Sequence, residues 1–467
     1  MASMAAAAVS AQTSYDAFQL MGEDLNGTAR YVGMGGAMNA FGNDISVMAK
    51  NPAGIGTYVT DEVNTTLSFS WSGTDLRNEG LINGANVTSY SDRSHSDLRV
   101  GFDNASFVMV MPCFDNGSPF RSMNIGFSYH RLRDSRRSLD YYDYFRSKDG
   151  NFVFREMSDV LKNRVNAYDF NVSFNCNDSF YWGMTVETLD ASFSSDGFFY
   201  DSFRTSLDDD PQPYTKLSRY IDASARGWSF KGGAIYRPQS GNLRFGLAFS
   251  TPTFFHVNQY YTDYQYALDG EEKDGKPYDM EVPYDLTSPW TLNASIGYSA
   301  GRNAIGLEYE YNAVGGTRMN CDDREVVTQC GDLHYKSYSV LRVGYETNIS
   351  NVSLRCGYNY TFPRFHDDAV KYRGWYDEKS GKFYGDTPFN GERYDWEYEN
   401  VMDAHTFTAG IGYCSKPNED GEQFYVDGTF LYNLKRSEFC LGEYADDPIA
   451  RYNTGTGRVL LTVGVLF

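Results

Sequence analysis

A chain of 467 residues has room for two or three soluble domains or for one large barrel. Its composition favours the barrel, with 16% aromatic residues (38 Tyr, 32 Phe), 44 Gly and a mean hydropathy of only −0.50. No apolar run reaches the roughly 18 residues that a membrane helix needs, so a bilayer could be crossed only by strands. A net charge of −20 and a pI near 4.7 exclude a nucleic-acid partner, whose phosphates such a surface repels.

The N-terminal segment, residues 1–11, ends in the small-residue pattern Val9-Ser10-Ala11 before Gln12. It reads as the remnant of a secretory leader or a tag, with an ordinary disordered terminus as the alternative. Residues 12–60 then form a compact unit. Gly33, Gly35 and Gly36 allow tight turns. Pro52 fixes its own φ and holds Asn51 out of the helical region, so any helix ends at Lys50. Residues 61–467 carry the strands.

This N-terminal unit, running through Asn51-Pro52-Ala53 straight into the first alternating strand, resembles the hatch of the FadL/TodX family of outer-membrane transporters for hydrophobic compounds. Arg30, Gly33, Gly35, Gly36 and Asp44 stand where the resemblance expects them upstream of the Asn-Pro-Ala motif. The resemblance implies a plug inside a 14-stranded antiparallel transmembrane β-barrel.

Period-two alternation bounded by turn residues marks the strands. The first seven are Val63 to Ser72, Ala105 to Pro112, Ser122 to Leu132, Asn166 to Asn175, Ser179 to Leu189, Ala225 to Arg237 and Asn242 to Thr251. The rest are Pro289 to Ser299, Arg302 to Ala313, Lys336 to Glu346, Asn351 to Thr361, Asp403 to Cys414, Gln423 to Leu434 and Gly457 to Phe467. The total, about fourteen, is even, as in bacterial single-chain barrels. Short links such as Cys176 to Asp178, Pro238 to Gly241, Ala300 to Gly301 and Thr347 to Ser350 alternate with long polar, aromatic-rich stretches. Tight periplasmic turns at one rim and long extracellular loops at the other produce that rhythm, and both termini then fall on the periplasmic side.

Each strand assigns its own faces. Ile305, Leu307, Tyr309 and Tyr311 share one face, and Ala304, Gly306, Glu308 and Glu310 the other. Leu243, Phe245, Leu247 and Phe249 repeat the apolar face, as do Met123, Ile125, Phe127 and Tyr129, and Val459, Leu461, Val463, Val465 and Phe467. A soluble β-sandwich would alternate too, but it buries its apolar face under a second sheet. A barrel shows that face to lipid between aromatic girdles, for which Trp71, Trp228, Trp290, Tyr298 and Tyr413 are candidates. The terminal Phe467 resembles the C-terminal signal read by the barrel-assembly machinery.

Catalytic chemistry is not visible. His95, His130, His256, His334, His366 and His405 are scattered without metal-ligand spacing, and no GxSxG, HExxH or phosphate loop occurs. A lumenal Ser-His pair at His130 or His405 is the alternative to ordinary polar lining. No cofactor or metal motif is expected, although Asp208-Asp209-Asp210 and Asp322-Asp323 could bind calcium instead of forming solvated loop tips. None of the seven Cys forms CxxC; Cys321 and Cys330 could pair in an oxidising compartment or remain free. Arg244, Arg342, Arg355, Glu308 and Glu310 are expected to form a lumenal charge network that fills the interior or holds the hatch.

Two aromatic-rich stretches read as long loops with exposed apolar patches. The first carries Phe193, Phe198, Phe199, Tyr200 and Phe203; the second carries Phe254, Phe255, Tyr260 and Tyr261. Packing among themselves is the alternative to ligand capture. Asn242 to Val257 resembles the family segment whose loops collect hydrophobic ligands. The resemblance implies a monomeric barrel in the bacterial outer membrane, in contact with membrane lipid and lipopolysaccharide, that passes a hydrophobic small molecule such as a long-chain fatty acid inward. Loop aromatics would capture it, a lumenal pocket would hold it, and a hatch shift or a break in the third strand, expected at Gly126, would release it. The rival reading is a barrel of the same fold serving as a protein-docking platform in secretion or surface attachment.

Overall fold

The computed structural model describes residues 14–78, 98–113, 119–146, 152–205, 210, 212–239, 241–267, 278–313, 317–321, 331–332, 336–364, 375–377, 382–384, 399–440 and 449–467. The suggested leader, Cys330, Asp208, Asp209, Asp322 and Asp323 lie outside them.

Fourteen antiparallel strands close on themselves. They are β1 (Glu62–Asn78), β2 (Arg99–Pro112), β3 (Phe120–Arg146), β4 (Phe152–Cys176), β5 (Phe180–Arg204) and β6 (Gln212–Tyr236). The next three each consist of two collinear pieces: β7 (Leu243–Ser250, Phe254–Ala267), β8 (Tyr278–Thr287, Trp290–Ala300) and β9 (Asn303–Ala313, Arg318–Cys321). Then come β10 (Tyr338–Ile349, preceded by the short Gly331–Asp332), β11 (Val352–Thr361), β12 (Glu399–Cys414), β13 (Gln423–Cys440) and β14 (Ile449–Leu466). Closure is made by β1 and β14, paired from Glu62 with Leu466 to Asn78 with Ala450. At one rim the connections are tight. Asn177 and Asp178 both take positive φ (55° and 59°), the pair of left-handed residues that suits a two-residue hairpin.

The face assignment read from alternation holds. Ile305, Leu307 and Tyr309 are 46–48% exposed on the outside, while Glu308 and Glu310 are 1% and 4% exposed inside. Leu247, Ile296, Phe407, Ile411 and Phe430 continue the outer apolar surface around the cylinder. No second sheet covers it among the described residues. Such a belt suits hydrocarbon far better than water.

One expectation changes. Both aromatic stretches read as loops are mostly strand: β3 to β6 run for 25 to 27 residues each, where a bilayer needs about 10. The wall therefore continues as a tall extension on one side of the barrel. Where it begins, β7 breaks at Thr251 to Thr253 and β8 at Ser288 and Pro289. Pro252 and Pro289 have no N–H to give to a ladder, and Thr251 and Ser288 mend the gap by donating to Phe230 and Thr253 carbonyls at 2.9 and 3.0 Å.

The hatch lies inside the cylinder and is itself a chain of capped short turns: α1 (Ser14–Met21), α2 (Ala29–Gly33) and the 3₁₀ turns Ile45–Ala49 and Pro52–Thr57. Thr28, Asp44 and Asn51 cap the last three by accepting from Tyr31, Ser46 and Ala53 amides, the role these residue types favour. Tyr31, Val32, Met34, Met38, Val47, Met48 and Ile55 form a small core against Val108, Leu431 and Leu460 of the wall.

What lets the hatch come so close is a row of glycines. Gly297, Gly306, Gly344 and Gly357 are successive cross-strand partners on β8 to β11. A Cβ at Gly306 would lie 2.0 Å from the Ala37 carbonyl oxygen, one at Gly344 2.3 Å from that of Met34, and one at Gly357 2.2 Å from the Gly35 nitrogen. The hatch backbone lies in a groove that only missing side chains provide. Gly344→Val should therefore lift the Met34 to Ala37 segment off the wall at a cost of about 1–3 kcal/mol. Limited proteolysis should cut the hatch of that variant faster while the barrel keeps its heat-modifiable mobility in gels.

Candidate functional site

The hatch partitions the lumen. On its extension side is a cavity of about 180 Å³, bounded by Glu23, Asp24, Lys50, Arg133, Arg364 and Lys435 among others. On the side of the tight turns a second cavity, of about 370 Å³, opens between Arg30, Phe41, Arg244, Arg302 and Glu346.

Ion pairs bind the partition to the wall in two clusters. Arg30 of α2 gives Nε and Nη2 to the two oxygens of Glu346, each at 3.1 Å. Glu346 also accepts from Arg355, which in turn pairs with Asp427. On the other side of the hatch Lys50 bridges Glu23 (2.6 Å) and Glu310 (3.2 Å). Arg342 links Glu310 to Glu308, and Asn293 donates to Glu308 at 2.8 Å. The expected charge network is thus present. Arg244 departs from it by donating to the hatch carbonyl of Phe41 at 2.6 Å, while its Cζ lies 5.9 Å from the centre of the Phe41 ring.

Burial would raise the Asp24 carboxyl, but the Lys435 ammonium at 2.8 Å, with Arg133 and Arg458, holds it well below the usual range. Burial likewise opposes charge on Lys50, and Glu23 and Glu310 overcome it, keeping the ammonium charged far into alkali. At Asp44 burial dominates and pushes the carboxyl up, despite Arg30 and the Thr28 hydroxyl.

Above the charged floor an apolar cluster is packed in the lumen, interleaved with inward-facing Asp159, Asn163, Arg219 and Gln259. Leu132, Leu161, Val165, Leu189, Phe193, Ile221, Phe255, Val257, Tyr261, Val282 and Leu286 line the inside of the extension, and Leu20 of α1 is packed among them. Phe18 of the same helix has Arg133 and Arg364 at 5.5 and 5.3 Å from its ring. Leu20 and Met21, at the end of the helix, cover the inner face of this apolar cluster.

The nine aromatics singled out in the sequence divide accordingly. Phe193, Phe255 and Tyr261 point inward, 2–3% exposed, whereas Phe254 and Tyr260 point outward, 42% and 41% exposed. Phe198 and Tyr200 are half-buried on β5. The side chains of Phe199 and Phe203 lie outside the described ones. The chamber's aliphatic lining was not singled out, because in sequence it is ordinary strand alternation.

The hatch residues come together. Gly33, Gly35 and Gly36 follow the wall closely, and the Gly35 amide is part of the glycine-row contact. Asn51 Nδ2 donates to the Asn39 and Ala234 carbonyls at 3.0 and 3.3 Å. The Pro52 carbonyl accepts from Ser173 and Asn171 at 2.7 and 3.2 Å, and Ala53 packs on Tyr181 and Ile235. The Asn-Pro-Ala motif is therefore a docking joint between hatch and wall.

Gly126 does not break its strand: it pairs with Val108 on one side and Asn171 on the other. Its missing side chain instead makes room for Met48, whose Cε would lie 2.8 Å from an added Cβ. The interruption lies farther along. The β2–β3 ladder ends at Asn104 with His130, while β2 continues along β1 to Arg99 and β3 continues along β4 to Arg146. Asp103 and Leu132 fall out of register at that point. The hatch closes the resulting notch: the Asp24 amide donates to the Leu132 carbonyl at 2.9 Å, and Asn26 donates to the Arg131 carbonyl and to Asp103. Arg458 joins Asn26 (3.0 Å) and Asp103 (3.3 Å).

No family model and no curated protein matches the sequence. Solved structures share its fold over nearly the full length. A Pseudomonas aeruginosa FadL homologue superposes with a TM-score of 0.60 at 11% identity, covering 95% of this chain and 99% of that one. The Pseudomonas putida toluene transporter TodX gives 0.58 at 12% identity over 95% and 99%, and the CymD monoaromatic hydrocarbon channel 0.51 at 13% over 94% and 97%.

Glu346→Ala would leave Arg30 and Arg355 facing each other without their shared carboxylate, a change of about 3–5 kcal/mol. Hydrogen exchange in the α2 segment should rise accordingly, read by mass spectrometry. The pH dependence has a definite sign. Depressed carboxyls such as Asp24 contribute stability above their unfolded value, near 4, which is lost as pH falls through the lower folded value; Lys50, raised, contributes until pH climbs past about 10. Exchange protection of residues 22–27 should stay level from about pH 5 to 9 and fail first in acid.

Proposed function

We propose that this chain is an outer-membrane channel of the FadL/TodX kind, taking up hydrophobic small molecules such as long-chain fatty acids by passive diffusion. The observation that carries the reading is the apolar chamber in the wall extension, with Leu20 of α1 seated in it above a charged partition. An apolar surface that buries an internal leucine offers an acyl or aryl group the same kind of burial once α1 has left it. The TodX and CymD structures, named for toluene and monoaromatic hydrocarbons, support the same ligand class.

In this reading the extension is extracellular, the tight turns and both termini are periplasmic, and the outer belt meets lipid, with lipopolysaccharide in the outer leaflet. Outward-facing Phe254 and Tyr260 gather the ligand at the surface. Phe193, Phe255 and Tyr261 receive it inside as α1 withdraws. Polar residues of the hatch close the notch between β2 and β3, so displacement of Asp24 to Asn26 opens an exit there, while Arg30, Gly33, Gly35, Gly36, Asp44 and the Asn51-Pro52-Ala53 joint keep the rest of the hatch seated. The protein works as a monomer and catalyses nothing. Phe467, 55% exposed at the end of β14, is offered to the assembly machinery.

Two measurements test this. Organic extraction of the purified protein followed by mass spectrometry should recover bound lipophiles, and Phe193→Glu with Phe255→Glu should abolish their recovery while the barrel still folds. An empty chamber in the wild type, together with unimpaired cellular uptake of labelled lipophiles when the gene is deleted, would instead favour the docking platform.

A further inference from the structure

One buried cluster is used neither by the partition nor by the chamber. His130 on β3, Asp169 on β4 and Glu187 on β5 point into the lumen from three consecutive strands and are 5%, 0% and 3% exposed. Asp169 and Glu187 are direct cross-strand partners, an arrangement that sets two carboxylates side by side where like charges repel. One ligand atom from each of the three residues falls within 4.8 Å of the others.

Its hydrogen bonding is lopsided. Glu187 is held from behind, accepting from Ser229 at 3.0 Å and from Lys231. Lys231 also donates to the hatch carbonyl of Ala49 at 2.8 Å. Asp169, in contrast, has no hydrogen-bond partner for either oxygen, and His130 Nε2 has none. The contact between His130 Nδ1 and Asp169 is 3.6 Å, too long for a hydrogen bond. A carboxylate shut away from water with nothing donating to it is strongly disfavoured, and Lys231 alone does not balance two acidic groups. A cation would supply what is missing.

We propose that His130, Asp169 and Glu187 bind a single divalent transition-metal ion of the zinc class in the barrel wall beside the hatch. One imidazole and two carboxylates supply three donors of the mixed nitrogen and oxygen set such ions accept, and a water or a second carboxylate oxygen completes the four. Calcium prefers six to eight oxygens and magnesium an octahedron of oxygens, whereas this cluster offers three side chains, one of them an imidazole. Ser229 and Lys231 orient Glu187 as outer-shell partners do. Because Lys231 ties Glu187 to Ala49, the ion clamps the wall exactly where the 3₁₀ turn Ile45–Ala49 rests, and it stabilises the seated hatch by binding only the folded form.

The full-length chain should be refolded into detergent after metal stripping, with cobalt(II) or zinc(II) as the probe. The wild type should take up cobalt stoichiometrically, with visible bands of nitrogen and oxygen ligation and no thiolate charge-transfer band; zinc should displace it and raise the melting temperature. His130→Gln and Asp169→Asn should lose the bands and the thermal shift, while His256→Gln, on the exposed His256–Asp285 pair, should keep both. If those two variants do not fold, X-ray absorption of the zinc-loaded wild type decides: imidazole and carboxylate scatterers support the site. Thiolate scatterers, no stoichiometric uptake by the wild type, or bands unchanged in His130→Gln would each overturn it.

Discussion

The closeness of the hatch backbone to the wall is the constraint on which the remaining arrangement depends. Along Gly297, Gly306, Gly344 and Gly357 the barrel interior has no side chains, so Met34 to Ala37 lie within reach of the strands themselves. Glycine in a strand ordinarily weakens it. Here that cost is offset by the close packing it permits, since contacts at van der Waals distance recover dispersion energy that a looser plug would forfeit. The register of four strands must be kept for the row to line up, which couples closure of the cylinder to seating of the plug.

Once the backbone is docked, polar groups fix its orientation. Arg30 reaches Glu346, Lys50 reaches Glu310, and Arg244 reaches the Phe41 carbonyl. Buried ion pairs of this kind add little net stability over an apolar alternative, but removing one partner is expensive. They therefore favour one seating of the hatch over others more than they strengthen it. The same logic applies at the wall notch, where Asp24, Asn26, Asp103 and Arg458 complete hydrogen bonds that β2 and β3 leave open. A polar seal of this sort is tight while dry and is weakened wherever water can compete.

The apolar chamber follows a different rule. Its lining comes from the inward residues of strands that have already left the belt region, so neither lipid nor a second sheet demands that they be apolar. Their burial is supplied by one another and by α1. That Leu20 and Met21 of α1 cover the cluster explains how so much hydrocarbon surface can exist in a lumen whose floor is charged.

Much of this was legible in the sequence. Period-two alternation located all fourteen strands and assigned their faces, as at Ile305, Leu307, Glu308 and Glu310, because side-chain direction in a strand follows from position alone. Asn51-Pro52-Ala53 marked the hatch through its resemblance to the family motif, whereas the capping and wall-docking roles of Asn51 were visible only in the structure. Strand lengths were not legible: Phe193 and Phe255 looked like loop aromatics, since polar and aromatic residues alternate above the belt without the lipid that makes the signal strong. Nor were relations between strands. The gap between β2 and β3 depends on where two ladders stop, and the meeting of His130, Asp169 and Glu187 depends on register across β3, β4 and β5. The sequence by itself determined local periodicity and turns, which are interactions among residues close in the chain. Only the closed cylinder decided which glycines would form a row, which charges would face each other and which wall segment the hatch would have to seal, because those contacts depend on register between strands and on hatch-to-wall pairs as far apart as Arg30 and Glu346.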